Sequence, residues 1–328
     1  MPLPLQNRPI DFLVRTGMPV ASTILMIRPA AFGYNEETAA NNLFQTQPSF
    51  THARLQQEAA QEFDTMVELL EKNGIRVIVI GDTEEPVKPD AIFPNNWLTT
   101  SPEGIVSVFP LYAANRRPEK REDILQWLAR HFIIKDLQDW SEFEAEGRFL
   151  EGTGSMVIDH ENKLIYACAS ERTSVSLLEK YALTNGYQAI VFLATDRNGY
   201  PVYHTNVVMS LGDQFAILCE EAIEEEWELI AVRQLLESTG KTIIPITRDQ
   251  MHAFAGNMLQ VQNDKNEKFL VMSQTAFDAL RMEQRQMLEA YSQLLPVSIP
   301  TIEGVEGGSV RCMMAELFLD ARKPSIDV

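Results

Sequence analysis

The stretch that decides the fold is Glu306-Gly307-Gly308-Ser309-Val310-Arg311-Cys312-Met313-Met314-Ala315, where small and polar residues run directly into apolar ones. The same step occurs four more times upstream, in Phe93-Pro94-Asn95-Asn96-Trp97-Leu98, Glu151-Gly152-Thr153-Gly154-Ser155-Met156-Val157, Tyr203-His204-Thr205-Asn206-Val207-Val208-Met209 and Phe254-Ala255-Gly256-Asn257-Met258-Leu259. Aligned on this step, one column holds Asn96, Ser155, Asn206, Asn257 and Cys312. A spacing of about 50 to 60 residues predicts one supersecondary unit per repeat.

Each step is followed by three further segments in a fixed order. A second short apolar run comes first, at 104–109, 164–168, 215–219 and 269–272. A charged stretch with apolar residues three and four apart, typical of a helix, follows at 121–131, 172–184, 221–238 and 275–294. A β-rich run closes the unit, at 132–134, 189–192, 242–246 and 297–299. Each repeat is therefore predicted to be strand, strand, helix, strand.

The first unit is incomplete at the N-terminus. It offers one strand at 23–27 before a helix at 51–73 and a strand at 76–80, and residues 310–319 can supply the missing strand. Pairing the two ends of the chain leaves no free edge between the first and last units. We therefore predict an α/β fold of five ββαβ units around a pseudo-fivefold axis, a propeller with the start of each first strand at its centre.

The composition favours one closed domain over residues 1–328. Length alone allows two domains, but no Pro/Gly/Ser-rich linker or low-complexity stretch interrupts the repeats. The formal net charge of −18 opposes phosphate contacts and offers no polybasic patch for anionic lipid. Nucleic acid and membrane surfaces are therefore not expected as partners, whereas a homo-oligomer is possible.

A cytoplasmic location is expected. No apolar run approaches the roughly 18 residues of a membrane span, and the residues through Val20 lack the apolar core of a signal peptide. The three cysteines have no CxxC spacing and do not form a disulfide framework. Cys168 and Cys219 lie in apolar strands and are expected to be buried filler, which leaves Cys312 as the candidate nucleophile.

Cys312 stands where the repeat places a side chain near the centre of the molecule. Gly307 and Gly308 let the preceding backbone approach a ligand closely. A thiolate can attack the resonance-stabilised carbon of a guanidine or urea if the leaving nitrogen receives a proton and the tetrahedral state is stabilised. His204 is the candidate proton shuttle, and its cation is expected to favour the thiolate.

Together these motifs resemble the pentein superfamily of guanidine-modifying enzymes, which includes arginine deiminases, amidinotransferases and dimethylarginine hydrolases. The similarity covers most of the chain, from about Thr23 to Phe318. Within it, the loop 32–42, the segment 93–97 and the segment 307–312 look most like the citrulline ureidase branch.

The resemblance implies that Glu151 is catalytic beside His204 and Cys312. Glu151 is suited to hold a flat NH2 group of the substrate or the imidazolium. The implied enzyme is a cysteine-dependent hydrolase that cleaves the ureido C–N bond of citrulline through an S-carbamoyl intermediate, giving ornithine, ammonia and carbon dioxide. Arginine deimination, dimethylarginine hydrolysis and amidino transfer stay open as alternatives.

The segments that enter the first strands are expected to be extended, so residues two apart face the same side. The pairs that share a side are then His204 with Asn206, Glu151 with Ser155, and Asp90 with Asn96. Asp90 and the three asparagines of the repeat column, Asn96, Asn206 and Asn257, are candidate substrate ligands. Each asparagine is also compatible with a turn, because asparagine tolerates the left-handed conformation.

Asn96 and Asn206 indicate the substrate class. Guanidine-processing relatives typically carry aspartates at the matching positions, where the carboxylates grip a guanidinium by paired hydrogen bonds. A urea has an oxygen acceptor as well as N–H donors, so a carboxamide with both kinds of group fits it better. Two carboxylates buried against a neutral ligand would remain uncompensated. A ureido substrate such as citrulline is therefore expected.

Three arginines are candidates for the substrate's α-carboxylate: Arg116, Arg117 and Arg197. No cofactor or metal is expected, since neither HExxH, GxGxxG nor GxxxxGK[ST] occurs. The non-enzymatic alternative is a propeller-like binding protein. In that case Cys312 would react no faster than an ordinary thiol, and amino-acid ligands would not protect it.

Overall fold

The computed structural model describes residues 20–39, 41, 42 and 44–322. The expectation that the residues through Val20 lack the apolar core of a signal peptide therefore concerns residues that lie mainly outside this range. The strands are β1 Thr23–Arg28, β2 Arg76–Gly81, β3 Leu98–Thr100, β4 Ile105–Val108, β5 Asp136–Asp139, β6 Val157–Asp159, β7 Leu164–Cys168, β8 Gln188–Phe192, β9 Met209–Leu211, β10 Phe215–Leu218, β11 Thr242–Pro245, β12 Leu259–Gln262, β13 Lys268–Ser273, β14 Gln293–Val297 and β15 Ala315–Glu316.

The helices lie mostly between the second and third strands of each unit. They are α1 Glu36–Ala39, α2 His52–Lys72, α3 Glu122–His131, α4 Gly152–Ser155, α5 Val175–Asn185, α6 Thr205–Val208, α7 Glu226–Ser238, α8 Arg248–His252, α9 Gln274–Ala279, α10 Met282–Glu289 and α11 Pro300–Glu306. Short 3-10 turns occur at Pro94–Asn96, Ala114–Glu119, Ser141–Glu146 and Glu220–Ala222. In the described part of the chain, no helix is long and apolar enough to cross a bilayer.

The described strands form five three-stranded sheets, here called blades 1 to 5: β15-β1-β2, β3-β4-β5, β6-β7-β8, β9-β10-β11 and β12-β13-β14. In every blade the first pair is antiparallel and the second pair is parallel. A parallel pair needs a crossover connection, which the intervening helices supply. The predicted ββαβ repeat is confirmed in all five blades.

Blade 1 is completed by the C-terminal strand. β15 pairs antiparallel with β1, with Ile24 opposite Glu316 and Leu25 opposite Ala315. A parallel bridge between Ala21 and Val261 joins blade 1 to blade 5. Contacts between β15 and β3, between β6 and β9, and between β9 and β12 join further neighbours. The inner strands therefore surround the predicted pseudo-fivefold axis.

The helices cover the outer faces of the blades with amphipathic surfaces. In α2 the buried residues recur three and four apart, at Leu55, Ala59, Phe63, Met66 and Leu70, which places them on one face of the helix. This face packs into a core cluster with Ile24 and Met26 of β1. The core therefore lies between each sheet and its helices. The polar residues of the repeat column lie at the axis.

Two segments differ from the predicted boundaries. The closing strand of blade 2 is β5, not the apolar run 132–134. Phe132 is instead buried in the core and bridges Ala321, while β5 is an exposed edge strand that needs no apolar pattern. The predicted helix 275–294 divides into α9 and α10 around Leu280, a buried residue with extended backbone, and β14 begins at Gln293.

The C-terminal strand is also shorter than predicted. Only Ala315 and Glu316 of the expected 310–319 strand pair as β15. Backbone hydrogen bonds from Cys312 to Ser309 and from Met313 to Val310 fold the residues before it into turns. This shape brings the Cys312 side chain toward the inner end of the blade rather than along a strand.

Candidate active site

The segments that enter the first strands are turns, not extended chain. Pro94–Asn96 is a 3-10 turn, and α4 and α6 are single helical turns. α4 ends one residue before β6, and α6 ends directly before β9. The expectation that residues two apart share a side is therefore wrong for these segments, because side chains in a helical turn do not alternate. The side chains meet instead because the turns themselves lie together at the axis.

Two glycines explain how closely these turns approach one another. A Cβ on Gly152 would lie 2.2 Å from the Asn95 carbonyl oxygen of the neighbouring blade, and Gly152 has a φ of +46°. A Cβ on Gly256 would lie 2.0 Å from the Val207 carbonyl oxygen. Only glycine fits such backbone-to-backbone contacts. The small residues of the repeat are therefore required for the turns to converge.

Cys312 is buried at this convergence, with 5% of its surface exposed. Its Sγ accepts hydrogen bonds from two side-chain amides, Asn206 Nδ2 at 3.5 Å and Asn257 Nδ2 at 3.3 Å. Asn257 also donates to the Asn206 carbonyl oxygen, and its Oδ1 accepts from the Arg311 backbone N–H. Amide N–H groups stabilise negative charge on sulfur without adding a charge of their own.

His204 and Glu151 form a buried pair beside the axis. His204 Nε2 lies 2.8 Å from Glu151 Oε2, and the other carboxylate oxygen accepts from the Tyr112 backbone N–H at 2.9 Å. The guanidinium groups of Arg172 and Arg116 lie 3.7 and 4.0 Å from the same carboxylate. The predicted neighbours His204 and Glu151 are therefore in direct contact.

Burial and the charges around this pair lower both of its pKa values. Burial lowers the pKa of His204 to about 4, although Glu151 acts in the opposite direction. Burial opposes ionisation of Glu151, but Arg172 and His204 outweigh it and lower the pKa of Glu151 to about 2. These pKa values make Glu151 a carboxylate and His204 a neutral imidazole at neutral pH. The lowered pKa of His204 opposes the expectation that its cation favours the thiolate of Cys312.

Asn96 lies against a second buried charge cluster. Arg116 Nη1 donates to Asn96 Oδ1 at 2.9 Å, and Arg116 holds both carboxylate oxygens of Glu119 at 2.9 Å. The Asp90 carboxylate is 3.3 Å from Arg116 Nε and accepts from Asn35 Nδ2 at 3.1 Å. Burial raises the pKa of Glu119 to about 7, despite the opposing effect of Arg116. Protein groups thus use three of the five N–H donors of Arg116, and its expected contact with the substrate's α-carboxylate stays a prediction.

Glu306 adds a carboxyl group next to Asp90. Burial and the hydrogen-bonded neighbour Asp90 raise the pKa of Glu306 well above its usual range. The oxygens Asp90 Oδ1 and Glu306 Oε1 are both buried and have no hydrogen-bond partner. The raised pKa favours a proton on Glu306, and that proton would let Glu306 donate to an unpaired oxygen. Gln45 Nε2 donates to the other oxygen of Glu306 at 3.0 Å.

Two of the expected arginines lie away from this buried cluster. Arg197 is 54% exposed and faces Asp249, which is 86% exposed. Arg117 is partly exposed and faces Glu144. The α-carboxylate of citrulline is several bonds from the ureido carbon, so a residue that binds it need not contact Cys312, and the expected contact of these two arginines with it stays a prediction.

The structure also adds residues that the sequence did not single out. Arg172 is buried next to Glu151, its guanidinium lies over the Tyr203 ring, and it donates to Asn41. The sequence pattern placed Arg172 at the start of the predicted helix 172–184, whereas the structure places it in the loop between β7 and α5. Arg172, Glu119 and Glu306 therefore carried no signal in the sequence. In the described residues, no group of three or more His, Cys, Asp or Glu side chains is arranged to hold a metal ion.

Solved structures share this fold at low sequence identity. The N-terminal domain of ArgZ, an arginine dihydrolase from cyanobacteria, has a TM-score of 0.69 at 15% identity and covers 90% of this chain and 97% of its own. Full-length ArgZ matches with a TM-score of 0.69 at 14% identity, and this chain spans 42% of it. The dimethylarginine hydrolase DDAH of Pseudomonas aeruginosa, solved with citrulline, has a TM-score of 0.64 at 14% identity and covers 91% of this chain and 100% of its own.

These likenesses establish the fold, and a sequence-family model establishes the family. No curated protein matches the chain in sequence. The model described as N,N dimethylarginine dimethylhydrolase, eukaryotic, matches residues 28–319, close to the extent expected from the repeats. DDAH and ArgZ are cysteine-dependent hydrolases that act on carbon–nitrogen bonds. The chain therefore belongs to the dimethylarginine dimethylhydrolase family of the pentein superfamily.

Proposed function

We propose that this protein hydrolyses the ureido group of citrulline, giving ornithine, ammonia and carbon dioxide. The observation that carries the proposal is the environment of Asn206. Its Nδ2 is 3.5 Å from Cys312 Sγ, and its Oδ1 is buried without a hydrogen-bond partner. A buried acceptor next to the nucleophile matches an N–H of the substrate, which would satisfy it.

Neutral amides around the sulfur favour a neutral substrate. A guanidinium carries a full positive charge, and its burial needs a carboxylate close to the reacting carbon. At the sulfur of Cys312 the groups within hydrogen-bonding distance are the amides of Asn206 and Asn257. These amides offer both donors and an acceptor, which is the pattern that a ureido group complements.

In the proposed first step, neutral His204 takes the thiol proton of Cys312 and the thiolate attacks the ureido carbon. The lowered pKa of His204, about 4, keeps the imidazole unprotonated at neutral pH, so it has a free nitrogen lone pair that can accept the proton. The C–N bond to the δ-nitrogen then breaks, and His204 returns the proton to that nitrogen. Ornithine leaves, and the carbamoyl group remains on sulfur as a thioester-like intermediate.

In the second step a water molecule attacks the S-carbamoyl carbon. His204 takes a proton from this water and returns it to the departing Cys312 sulfur. Carbamic acid is released and decomposes to ammonia and carbon dioxide. Glu151, 2.8 Å from His204 Nε2, keeps the ring oriented and stabilises its cationic form during both transfers.

The domain organisation, the class of ligand and the cellular compartment of the enzyme are part of the same proposal. We propose one pentein domain over residues 1–328, with a small ureido or guanidino amino acid as its ligand. A reducing compartment such as the cytoplasm suits an enzyme whose proposed nucleophile is a free thiol. Cys312 is free in the described structure, as are Cys168 and Cys219.

Hydrolysis of a guanidino group is the second candidate. The family model is named for dimethylarginine, and ArgZ is an arginine dihydrolase. The buried carboxylates of Glu151 and Asp90 could hold a cationic group. Both already face guanidinium groups of the protein, Glu151 near Arg172 and Asp90 near Arg116, so this candidate ranks second.

The test is to incubate the purified protein separately with citrulline, arginine and dimethylarginine and to identify the products. Ornithine and ammonia formed from citrulline, with the largest kcat/KM of the three substrates, would support the proposal. Consumption of arginine or dimethylarginine without ornithine formation from citrulline would overturn it. The Cys312→Ser variant controls for contaminating enzymes in each incubation.

A further inference from the structure

One hydrogen bond joins the segment that carries His204 to the segment that carries Cys312. Tyr203, the residue before His204, donates from its hydroxyl to the Gly307 carbonyl oxygen at 2.9 Å. Gly307 follows the last residue of α11 and leads into the turn of Cys312. The two residues are 104 positions apart in the sequence, so this bond fixes the place of one segment relative to the other.

The Tyr203 side chain is itself held in place. It is buried, its ring lies 4.8 Å from the Arg172 guanidinium carbon and 4.8 Å from the His204 ring centre, and its carbonyl oxygen accepts from Ser170 Oγ at 2.8 Å. Burial raises the pKa of Tyr203 well above its usual value, and a negative charge on Cys312 acts in the same direction. The hydroxyl therefore keeps its proton at neutral pH and is the donor of the bond.

The other hydrogen bonds of the turn are local. Ser309 Oγ donates to Glu303 Oε1 at 2.6 Å, and the Cys312 backbone N–H donates to the Ser309 carbonyl oxygen at 3.0 Å. These contacts join residues at most six positions apart. They shape the turn, but they do not set its distance from His204.

The acceptor of the Tyr203 hydroxyl is a buried backbone group. Gly307 is buried, and among the hydrogen bonds of the described residues the Tyr203 hydroxyl is the donor to its carbonyl oxygen. A buried carbonyl that loses its donor carries the full cost of its desolvation. Removal of the hydroxyl should therefore let the backbone before Cys312 shift.

We propose that Tyr203 is a positioning residue, which holds the turn of Cys312 at the distance from His204 that proton transfer between the two side chains requires. A displacement of about 1 Å between reacting groups can cost about 10²-fold in rate. Tyr203 acts through the backbone of Gly307 rather than through the substrate. This inference rests on the roles of Cys312 and His204 in the proposed function and deepens it, and it holds for a ureido and for a guanidino substrate alike.

The test is the variant Tyr203→Phe, which removes the hydroxyl and keeps the ring against Arg172 and His204. The matched control is Tyr291→Phe, which removes a hydroxyl that donates to Thr242 Oγ1 at 2.8 Å away from the axis. We expect kcat to fall roughly tenfold or more in Tyr203→Phe, with KM within about twofold of the parent. Both constants should stay unchanged in Tyr291→Phe, and thermal unfolding shows that each variant is folded at the assay temperature.

The assay uses whichever of citrulline, arginine and dimethylarginine the parent hydrolyses fastest, so the two proposals can fail separately. A parent inactive on citrulline overturns the proposed function. A folded Tyr203→Phe variant that keeps the parent's kcat, or that changes KM alone, overturns the positioning role.

A second measurement needs no substrate. Iodoacetamide alkylates the thiolate of Cys312, and Cys312→Ser gives the background from the other cysteines. The Cys312 thiolate is stabilised by the amides of Asn206 and Asn257, so a shifted turn should lower the alkylation rate. A rate in folded Tyr203→Phe equal to that of the parent would contradict the positioning role, even if the parent hydrolyses none of the three substrates.

Discussion

Two pairs of a basic and an acidic side chain, one at the axis and one on the outer surface, differ in burial and in its consequences. His204 and Glu151 meet at 2.8 Å with 3% and 1% of their side chains exposed. Arg197 and Asp249 meet at 3.6 Å with 54% and 86% exposed. Charges in the interior interact strongly because the surrounding medium screens them poorly, whereas solvent screens an exposed pair.

This difference in burial identifies the axis as the part of the molecule where pKa values, and with them reactivity, are shifted. At the axis, burial lowers the pKa of His204 to about 4 and nearby cations lower that of Glu151 to about 2. An exposed pair is typically worth at most about 1 kcal/mol. Substitutions at the axis should therefore change rate or specificity, and substitutions in the outer layer should change little.

The largest effect is expected for Cys312→Ser. A serine hydroxyl fills nearly the same volume but is not ionised near neutral pH, so the fold should persist while citrulline turnover falls below detection. Ornithine formation measures the turnover, and thermal unfolding checks the fold. Turnover within about tenfold of the parent would remove Cys312 from the nucleophile's role.

His204→Gln should lower kcat by about 10²- to 10⁴-fold, the usual contribution of general acid–base catalysis. Glutamine can still contact Glu151, so the loss would report proton transfer rather than an emptied cavity. The measurement is the pH dependence of kcat/KM in parent and variant. A variant with the parent's profile would mean that His204 does not titrate in the mechanism.

Asn96→Asp/Asn206→Asp should weaken citrulline hydrolysis and shift the kcat/KM ratio toward arginine by roughly tenfold, because a carboxylate favours a cation and cannot donate to a ureido oxygen. The single variants sharpen the test. The carboxylate introduced by Asn206→Asp would sit beside the Cys312 sulfur and oppose the thiolate, whereas the one introduced by Asn96→Asp would face Arg116. Asn206→Asp should therefore reduce kcat more than Asn96→Asp. A ratio that does not move in the double variant would make these asparagines structural.

A smaller effect is expected in the pH dependence of the free energy of unfolding, and it comes from His204 at the axis. The pKa of His204 is lowered from 6.5 to about 4 in the folded protein. Between these pH values the unfolded chain binds a proton that the folded chain does not, so this residue makes stability rise with pH. The free energy of unfolding of the parent, minus that of His204→Gln, should increase from pH 4 to 6.5.

Measuring this difference cancels the groups whose pKa values are the same in both proteins, which excludes Glu151 because His204 contributes to its lowered pKa. Glu119 acts in the opposite direction, because its raised pKa of about 7 gives stability that is lost as pH rises. Urea unfolding at several pH values provides the data. A constant difference between the parent and His204→Gln would contradict the lowered pKa of His204.

The smallest effect is expected for Arg197→Ala. Its partner Asp249 is solvent-exposed, and exposed substitutions usually change stability by no more than about 0.5 kcal/mol. Values of kcat and KM for citrulline should stay within about twofold of the parent. A marked increase in KM would show that Arg197 reaches the substrate and would remove the contrast between the axis and the outer layer.

The repeat predicted most of the fold because backbone pairing depends on local pattern. Apolar runs and helical spacing gave the order strand, strand, helix, strand, and blade 1 is completed by β15 as expected. The sequence pattern failed to predict the segments whose structure is determined by tertiary contacts. Phe132 is apolar because it enters the core, not because it belongs to β5. The turns at Asn96 and Asn206 also looked extended, since single helical turns are too short to have a period.

By itself, the sequence determined the five-unit architecture and the column that carries Asn96, Asn206 and Cys312, because both depend on a pattern repeated along the chain. Only the tertiary structure decided the directions of the amides and the charge state of His204. The decisive contacts join residues 20, 53 and 106 positions apart, from Arg116 to Asn96, from His204 to Glu151 and from Asn206 to Cys312. Hydrogen-bond direction and burial arise from such contacts, and no local pattern encodes them.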